Sequence, residues 1–182
     1  MTQHLPIWLL GQVPTEVCDA AIRELSLIEP YDATMGTEGE KKELSQRNTA
    51  VRFAPDGHWF GGIMYEHALK ANRDNGWNYE IDYHEAIQYA EYGPEQHYDW
   101  HTDTFTLSGS PYDRKVTAVC LMNDPSEFEG GNFEMRLYQD YVAPLQKGTI
   151  IAFPSILYHR VTPVTSGIRI SSTIWLNGPR FK

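Results

Sequence analysis

Apolar residues recur at two different intervals along this chain. In the first half the interval is three to four. Within "VPTEVCDAAIREL", Val17, Ala20, Ala21, Glu24 and Leu25 repeat at helical spacing, and Pro14 and Thr15 stand where a helix would start. Within "WFGGIMYEHALKANRDNGW", Ile63, His67 and Lys70 with Met64, Ala68 and Ala71 give a second helix one apolar side, and Asn75-Gly76 ends it. Between them "TAVRFAP" reads as a short strand ending at Pro55, and "GTEGEKKELSQ" as a polar, charged, mobile loop.

In the second half the interval shortens to two. "YEIDYHEAIQYAEYG", "KVTAVCLMN", "NFEMRLY", "GTIIAFP", "LYHRVTPV" and "IRISSTIWLN" are rich in β-branched and aromatic residues and read as strands. Gly93-Pro94, Gly130-Gly131, Gly148, Pro154, Gly167 and Gly178 punctuate them. Short strands at this spacing predict an antiparallel sandwich or barrel. No repeat or linker divides the chain. The expectation is one domain over 1–182, with a helical part to about residue 78 and a β core over about 79–178, mainly β with flanking helices.

Composition narrows the picture. The 182 residues suffice for one domain with a real core. The net charge of −9 argues against nucleic-acid binding, which needs a positive field, although one buried Arg could still hold a small anion. Cys18 and Cys120 have no ligand-like spacing, so neither a disulfide framework nor a Cys-based zinc site is expected. The stretch "MTQHLPIWLLGQ" lacks a basic leader, and no apolar run reaches the roughly 20 residues of a membrane span. These features predict a cytoplasmic protein.

The chemistry concentrates in "HYDWHTD". Alternation along a strand gives His101 and Asp103 one face, shared with His97 and Asp99 if the strand stays regular, with Trp100 pointing away into the core. Spacing alone allows either Asp99 or Asp103 as a metal ligand. His159, in an apolar β setting, is the best-placed second His. Two His and one carboxylate without Cys form the facial triad of non-haem Fe(II) oxygenases. Arg169 follows ten residues later among apolar neighbours, and a hairpin through "PVTSG" would return it beside His159. A buried Arg needs an anion, and its planar fork fits a carboxylate.

"YGPEQHYDWHTD", "EGGNF", "KGTIIAFPSILYHRVTPVTSGIRIS" and the final "IW" resemble the 2-oxoglutarate/Fe(II)-dependent oxygenase superfamily. Within it they are most similar to the prolyl 4-hydroxylase-like group, including the small bacterial PKHD-type hydroxylases. The resemblance runs from about Gln88 to Trp175, and the first half of the chain carries no matching motif. It implies a double-stranded β-helix, or jelly roll. It implies His101, Asp103 and His159 as iron ligands, which selects Asp103 over Asp99. It further implies Arg169 and Tyr92 on the C5 carboxylate of 2-oxoglutarate, with Thr117 touching the same group.

The reaction so implied uses Fe(II), 2-oxoglutarate and O₂, with ascorbate as a reductant, to hydroxylate an unactivated C–H bond. A carboxylate at Asp103 fits hydroxylation rather than chlorination. Trp175 stands where relatives acting on nucleic acids tend to have a second Arg. Trp175 and Tyr98 would line a substrate cleft suited to a prolyl ring, and Arg114 in the following loop could reach substrate. A prolyl residue in a protein or peptide is the leading substrate class. A free amino acid or other small metabolite is the alternative, and a closed pocket with a second buried cation would favour an amino acid. A non-catalytic sensor that binds metal and 2-oxoglutarate is the reading from another class.

Overall fold

The computed structural model describes residues 7–32, 47, 49–104 and 110–181. The polar loop "GTEGEKKELSQ" lies outside the described residues, as do positions 105–109 of the loop after Asp103. In chain order the elements are β1 (Leu9–Gln12), α1 (Thr15–Leu25), β2 (Tyr31–Asp32), β3 (Ala50–Phe53), α2 (Trp59–Asp74), β4 (Tyr83–His84), β5 (Gln88–Tyr92) and β6 (Tyr98–His101). They continue as β7 (Tyr112–Leu121), β8 (Phe128–Gly130), β9 (Phe133–Arg136), β10 (Asp140–Val142), β11 (Thr149–Pro154), β12 (Tyr158–Val161), β13 (Val164–Gly167) and β14 (Arg169–Pro179).

Two antiparallel sheets make the architecture, a double-stranded β-helix. The large sheet runs β1-β11-β7-β14-β5-β3-β2, with β4 also on β14, and the small one runs β10-β9-β12-β6. β8 and β13 pair separately. The segment read as helical therefore also supplies β1, β2 and β3 to the edges of the large sheet. The stretch "YEIDYHEAIQYAEYG", read as one strand, divides into β4 and β5.

The apolar side of each helix explains its seat. Cys18, Ala21 and Leu25 of α1, with Phe60, Met64, Ala68 and Ala71 of α2, are buried against the outer face of the large sheet. There they meet Val116, Ala118 and Cys120 of β7, Ile150 and Ala152 of β11, and Ile174 and Leu176 of β14. Burying one such Leu, Met or Phe is worth about 1.5–3 kcal/mol. α2 stops where its apolar pattern stops, at Asn75, and Gly76 takes φ +70°.

The alternate residues of those strands point the other way. Val119, Ile151 and Phe153 join Ala90 and Tyr92 of β5 against Phe133, Met135 and Val161 of the small sheet. Strands buried on both faces carry near-continuous apolar runs, which is why "KVTAVCL" and "GTIIAFP" do. The space between the sheets also holds polar groups, His101, Asp103 and His159 among them.

Candidate metal centre and cosubstrate cleft

His101 and His159 are direct cross-strand partners on β6 and β12, and their ring centroids lie 4.2 Å apart. Asp103 follows two residues beyond His101. Its backbone N–H donates to the Ser155 carbonyl at 2.9 Å, which folds the chain over the end of β11. The Asp103 carboxylate oxygens stand 3.6 Å from His101 Nε2 and 3.4 Å from His159 Nε2. One ligand atom from each residue falls within 4.8 Å of the others, and all three residues are buried.

The imidazoles are oriented for a metal. His101 Nδ1 faces the Asp99 carbonyl at 2.7 Å, and His159 Nδ1 faces the Leu157 carbonyl at 3.0 Å. A carbonyl only accepts, so each Nδ1 carries a proton, and Nε2 is the nitrogen that each ring turns to Asp103. Burial, reinforced by His159, lowers the His101 pKa to about 3, against the pull of Asp103. Burial would raise Asp103, but His159, His101, Arg114 and the dipole of the Trp175 indole N–H hold it below the usual carboxylate range. Two imidazoles and one carboxylate, buried and convergent, fit a non-haem Fe(II) ion.

β6 is not the regular strand that alternation assumes. Its pairing with β12 shifts by one between His159↔His101 and Val161↔Tyr98. This bulge places two residues, Asp99 and Trp100, between the inward-facing Tyr98 and His101. Tyr98 therefore stacks on His101, with centroids 3.5 Å apart and planes 12° apart. Asp99 is exposed, and its carboxylate caps the Trp100 N–H at 2.7 Å. Trp100 is not core. It sits half-buried outside the small sheet, with Arg136 at 4.0 Å and Arg160 at 4.6 Å from its ring.

Arg169 comes from the opposite sheet. No hairpin joins β12 to β14, because β13 pairs with β8 and the chain crosses to the large sheet. Arg169 is 1% exposed and registers with Tyr92, its guanidinium carbon 5.5 Å from the tyrosine ring centre. Nη1 donates to Ser171 Oγ at 2.8 Å, while Nη2 is buried without a partner. Gly131, at φ +58°, makes room for it. A β-carbon there would fall 2.9 Å from Arg169 Cδ. A buried guanidinium with Nη2 unpartnered and Tyr92 alongside has the right chemistry for the far carboxylate of 2-oxoglutarate.

Thr117, which the resemblance gives to the cosubstrate carboxylate, stands beside Asp103. It registers with Trp175, six residues along β14 from Arg169. Its hydroxyl donates to Asp103 Oδ2 at 2.8 Å and lies 2.9 Å from Ser155 Oγ. The hydroxyl is thus used in positioning the metal ligand. Trp175 is buried on the cleft side near Asp103, its indole N–H without a well-formed acceptor. Arg114 belongs to β7 rather than to a loop. It forms a two-pronged pair with Glu85, at 2.6 and 2.5 Å, and lies 3.9 Å over the Trp175 ring.

The cleft also contains residues the sequence reading passed over. Ser155 supports Asp103 and Thr117. Arg47 and Gln88, both buried, line the wall beside Tyr98. One signal could have found Arg47. It shares the parity of Thr49 and Val51, and all three are buried.

Comparison with known proteins agrees with this geometry. The family model described as the 2OG-Fe(II) oxygenase superfamily matches residues 87–177. A PKHD-type hydroxylase of Picosynechococcus sp. is 36% identical over 94 residues, 50% of this chain and 41% of that protein. A PKHD-type hydroxylase of Xylella fastidiosa is 39% identical over 62 residues, 34% of this chain and 27% of that protein. The match thus spans less than half the length of these relatives. Among solved structures, a Pseudomonas putida prolyl-4-hydroxylase superposes with TM-score 0.73 at 20% identity, covering 97% of this chain and 94% of its own. The viral collagen prolyl hydroxylase of Paramecium Bursaria Chlorella virus-1, solved as a 2OG complex, gives 0.71 at 19%, covering 95% and 97%. At these identities the structures establish the fold. Among the described residues no helix is long and apolar enough to cross a membrane.

Proposed function

Since the chain belongs to the 2OG-Fe(II) oxygenase superfamily, we propose that it is a 2-oxoglutarate- and Fe(II)-dependent hydroxylase of an unactivated C–H bond in a prolyl residue of a protein or peptide. One observation carries the reading. The cleft that gathers His101, Asp103 and His159 is also walled by Tyr92 and Ser171, and the hydroxyl of Ser171 accepts from Arg169, which is fully buried with an unpartnered Nη2. A structural arginine would be paired; this one is left for a ligand.

When bound, iron and cosubstrate supply the oxidising power. Overall, 2-oxoglutarate, O₂ and substrate give succinate, CO₂ and the alcohol. The protein supplies placement. His101 and His159 present Nε2, and Asp103 presents a carboxylate steadied by Thr117. Arg169 and Tyr92 would fix the cosubstrate's C5 carboxylate. Tyr98, held flat on His101, and Trp175, pinned by Arg114, would wall the substrate ring and exclude water. The prolyl assignment draws support from these aromatic walls and from the names of the fold neighbours.

The test is succinate release from 2-oxoglutarate with Fe(II) and ascorbate, with and without proline-containing peptides. Activity lost in His101→Ala and Asp103→Ala but kept in Asp99→Ala is the expected result. No succinate, together with no anaerobic Fe(II)/2-oxoglutarate charge-transfer band, would leave no enzyme to discuss.

A further inference from the structure

The cleft holds a second buried arginine that neither the metal nor the cosubstrate uses. Arg47 is 7% exposed and lies over the Tyr98 ring at 4.6 Å, on the wall that shields His101. Its Nη2 donates to Gln88 Oε1 at 3.0 Å, while its Nε is buried without a partner. Other arginines around the site have carboxylates: Arg114 has Glu85, Arg160 has Glu134, Arg136 has Asp140 and Arg52 has Glu91. Among the described residues no carboxylate pairs with Arg47.

Charge balance in the loaded cleft sharpens the point. A divalent metal with Asp103, and a doubly charged cosubstrate with Arg169, together come to zero. Arg114 and Glu85 cancel each other. Among the described residues Arg47 then has no compensating carboxylate, and a buried positive charge is costly without an anion. A neutral residue inside a polypeptide would leave that charge in place. A substrate with its own carboxylate would remove it.

We propose that Arg47 and Gln88 form a carboxylate anchor for the substrate. The group hydroxylated then belongs to a free amino acid or to the C-terminal residue of a peptide, not to an internal residue. The fork of Arg47 offers Nε and the remaining guanidinium N–H groups to the carboxylate. Gln88, accepting from Arg47, keeps its amide N–H groups to donate. Tyr98 beneath the guanidinium fixes its plane, so the anchor is preformed. The inference rests on the hydroxylase reading and replaces its internal prolyl residue by a substrate that carries a free carboxylate.

The experiment uses the full chain, loaded anaerobically with Fe(II) and 2-oxoglutarate. Calorimetry measures binding of L-proline, of N-acetyl-glycyl-L-proline, and of the same dipeptide as its C-terminal amide. At least one acid is expected to bind about tenfold or more tighter than the amide, the factor of one charge-assisted hydrogen bond. Arg47→Gln should remove that margin while leaving amide binding and 2-oxoglutarate affinity unchanged. Arg47→Lys, which keeps the charge but not the fork, should restore part of it. L-Proline binding against the peptide acid tells a free amino acid from a peptide terminus. Equal binding of acid and amide, binding of no probe, or a loss of 2-oxoglutarate affinity in Arg47→Gln would each overturn the anchor. Succinate release by the wild type is read separately, so failure of the anchor and failure of the hydroxylase reading are told apart.

Discussion

Thr117→Val separates two roles for one hydroxyl. Valine keeps the shape of the side chain and the β propensity of the strand but cannot donate. The wild-type hydroxyl gives Asp103 Oδ2 a hydrogen bond of 2.8 Å in a fully buried setting and lies 2.9 Å from Ser155 Oγ. A bond to an ionised carboxylate is worth about 1.5–3 kcal/mol. Outer partners of metal ligands typically cost 10–100-fold in metal affinity when removed. The expected outcome is therefore an Fe(II) affinity lower by roughly tenfold or more. The KM for 2-oxoglutarate at saturating iron should hold steady. The assay is succinate formation titrated separately in Fe(II) and in 2-oxoglutarate, with a thermal melt to verify folding. An unchanged iron requirement with a raised KM for 2-oxoglutarate would refute this reasoning and place Thr117 on the cosubstrate after all.

Gly131→Ala should raise the KM for 2-oxoglutarate several-fold, because its β-carbon would press on Arg169 Cδ at 2.9 Å and on Val164 at 3.0 Å. The left-handed φ of +58° adds about 1–2 kcal/mol of backbone strain; a lower melting temperature with an unchanged KM would show that Gly131 does not set Arg169. Arg114→Met breaks a mostly buried two-pronged pair with Glu85 and should cost about 1–3 kcal/mol in urea unfolding. Glu85→Gln in the same chain should recover part of that loss, and strictly additive single and double variants would deny the coupling.

The strands and helices were legible because two-sided burial, alternation and helical spacing each leave a mark in sequence. His101, Asp103, His159 and Arg169 were legible through their joint pattern. What escaped were features that depend on pairing between distant segments. Alternation predicts Asp99 inward and Tyr98 outward, and a one-residue bulge against β12 reverses both. Local sequence suggests a hairpin bringing Arg169 beside His159, yet the partners of β14 are β5 and β7, so the arginine arrives from the facing sheet. Arg47 sits at the edge of a polar stretch whose composition says solvent. Only its bridge to Tyr98 carries it inside.

The bulge in β6 also bears on which ion the cleft prefers. A regular strand would turn Asp99 inward beside Asp103 and give the site a second carboxylate. Oxygen-rich, strongly anionic sites suit hard ions such as Mg²⁺ and Ca²⁺, whereas imidazole favours the transition metals. By keeping Asp99 on the outside and Tyr98 within, one extra residue in one strand holds the oxygen donors to a single carboxylate. The backbone thus keeps the donor set at two imidazoles and one carboxylate, which suits a transition metal better than a hard cation.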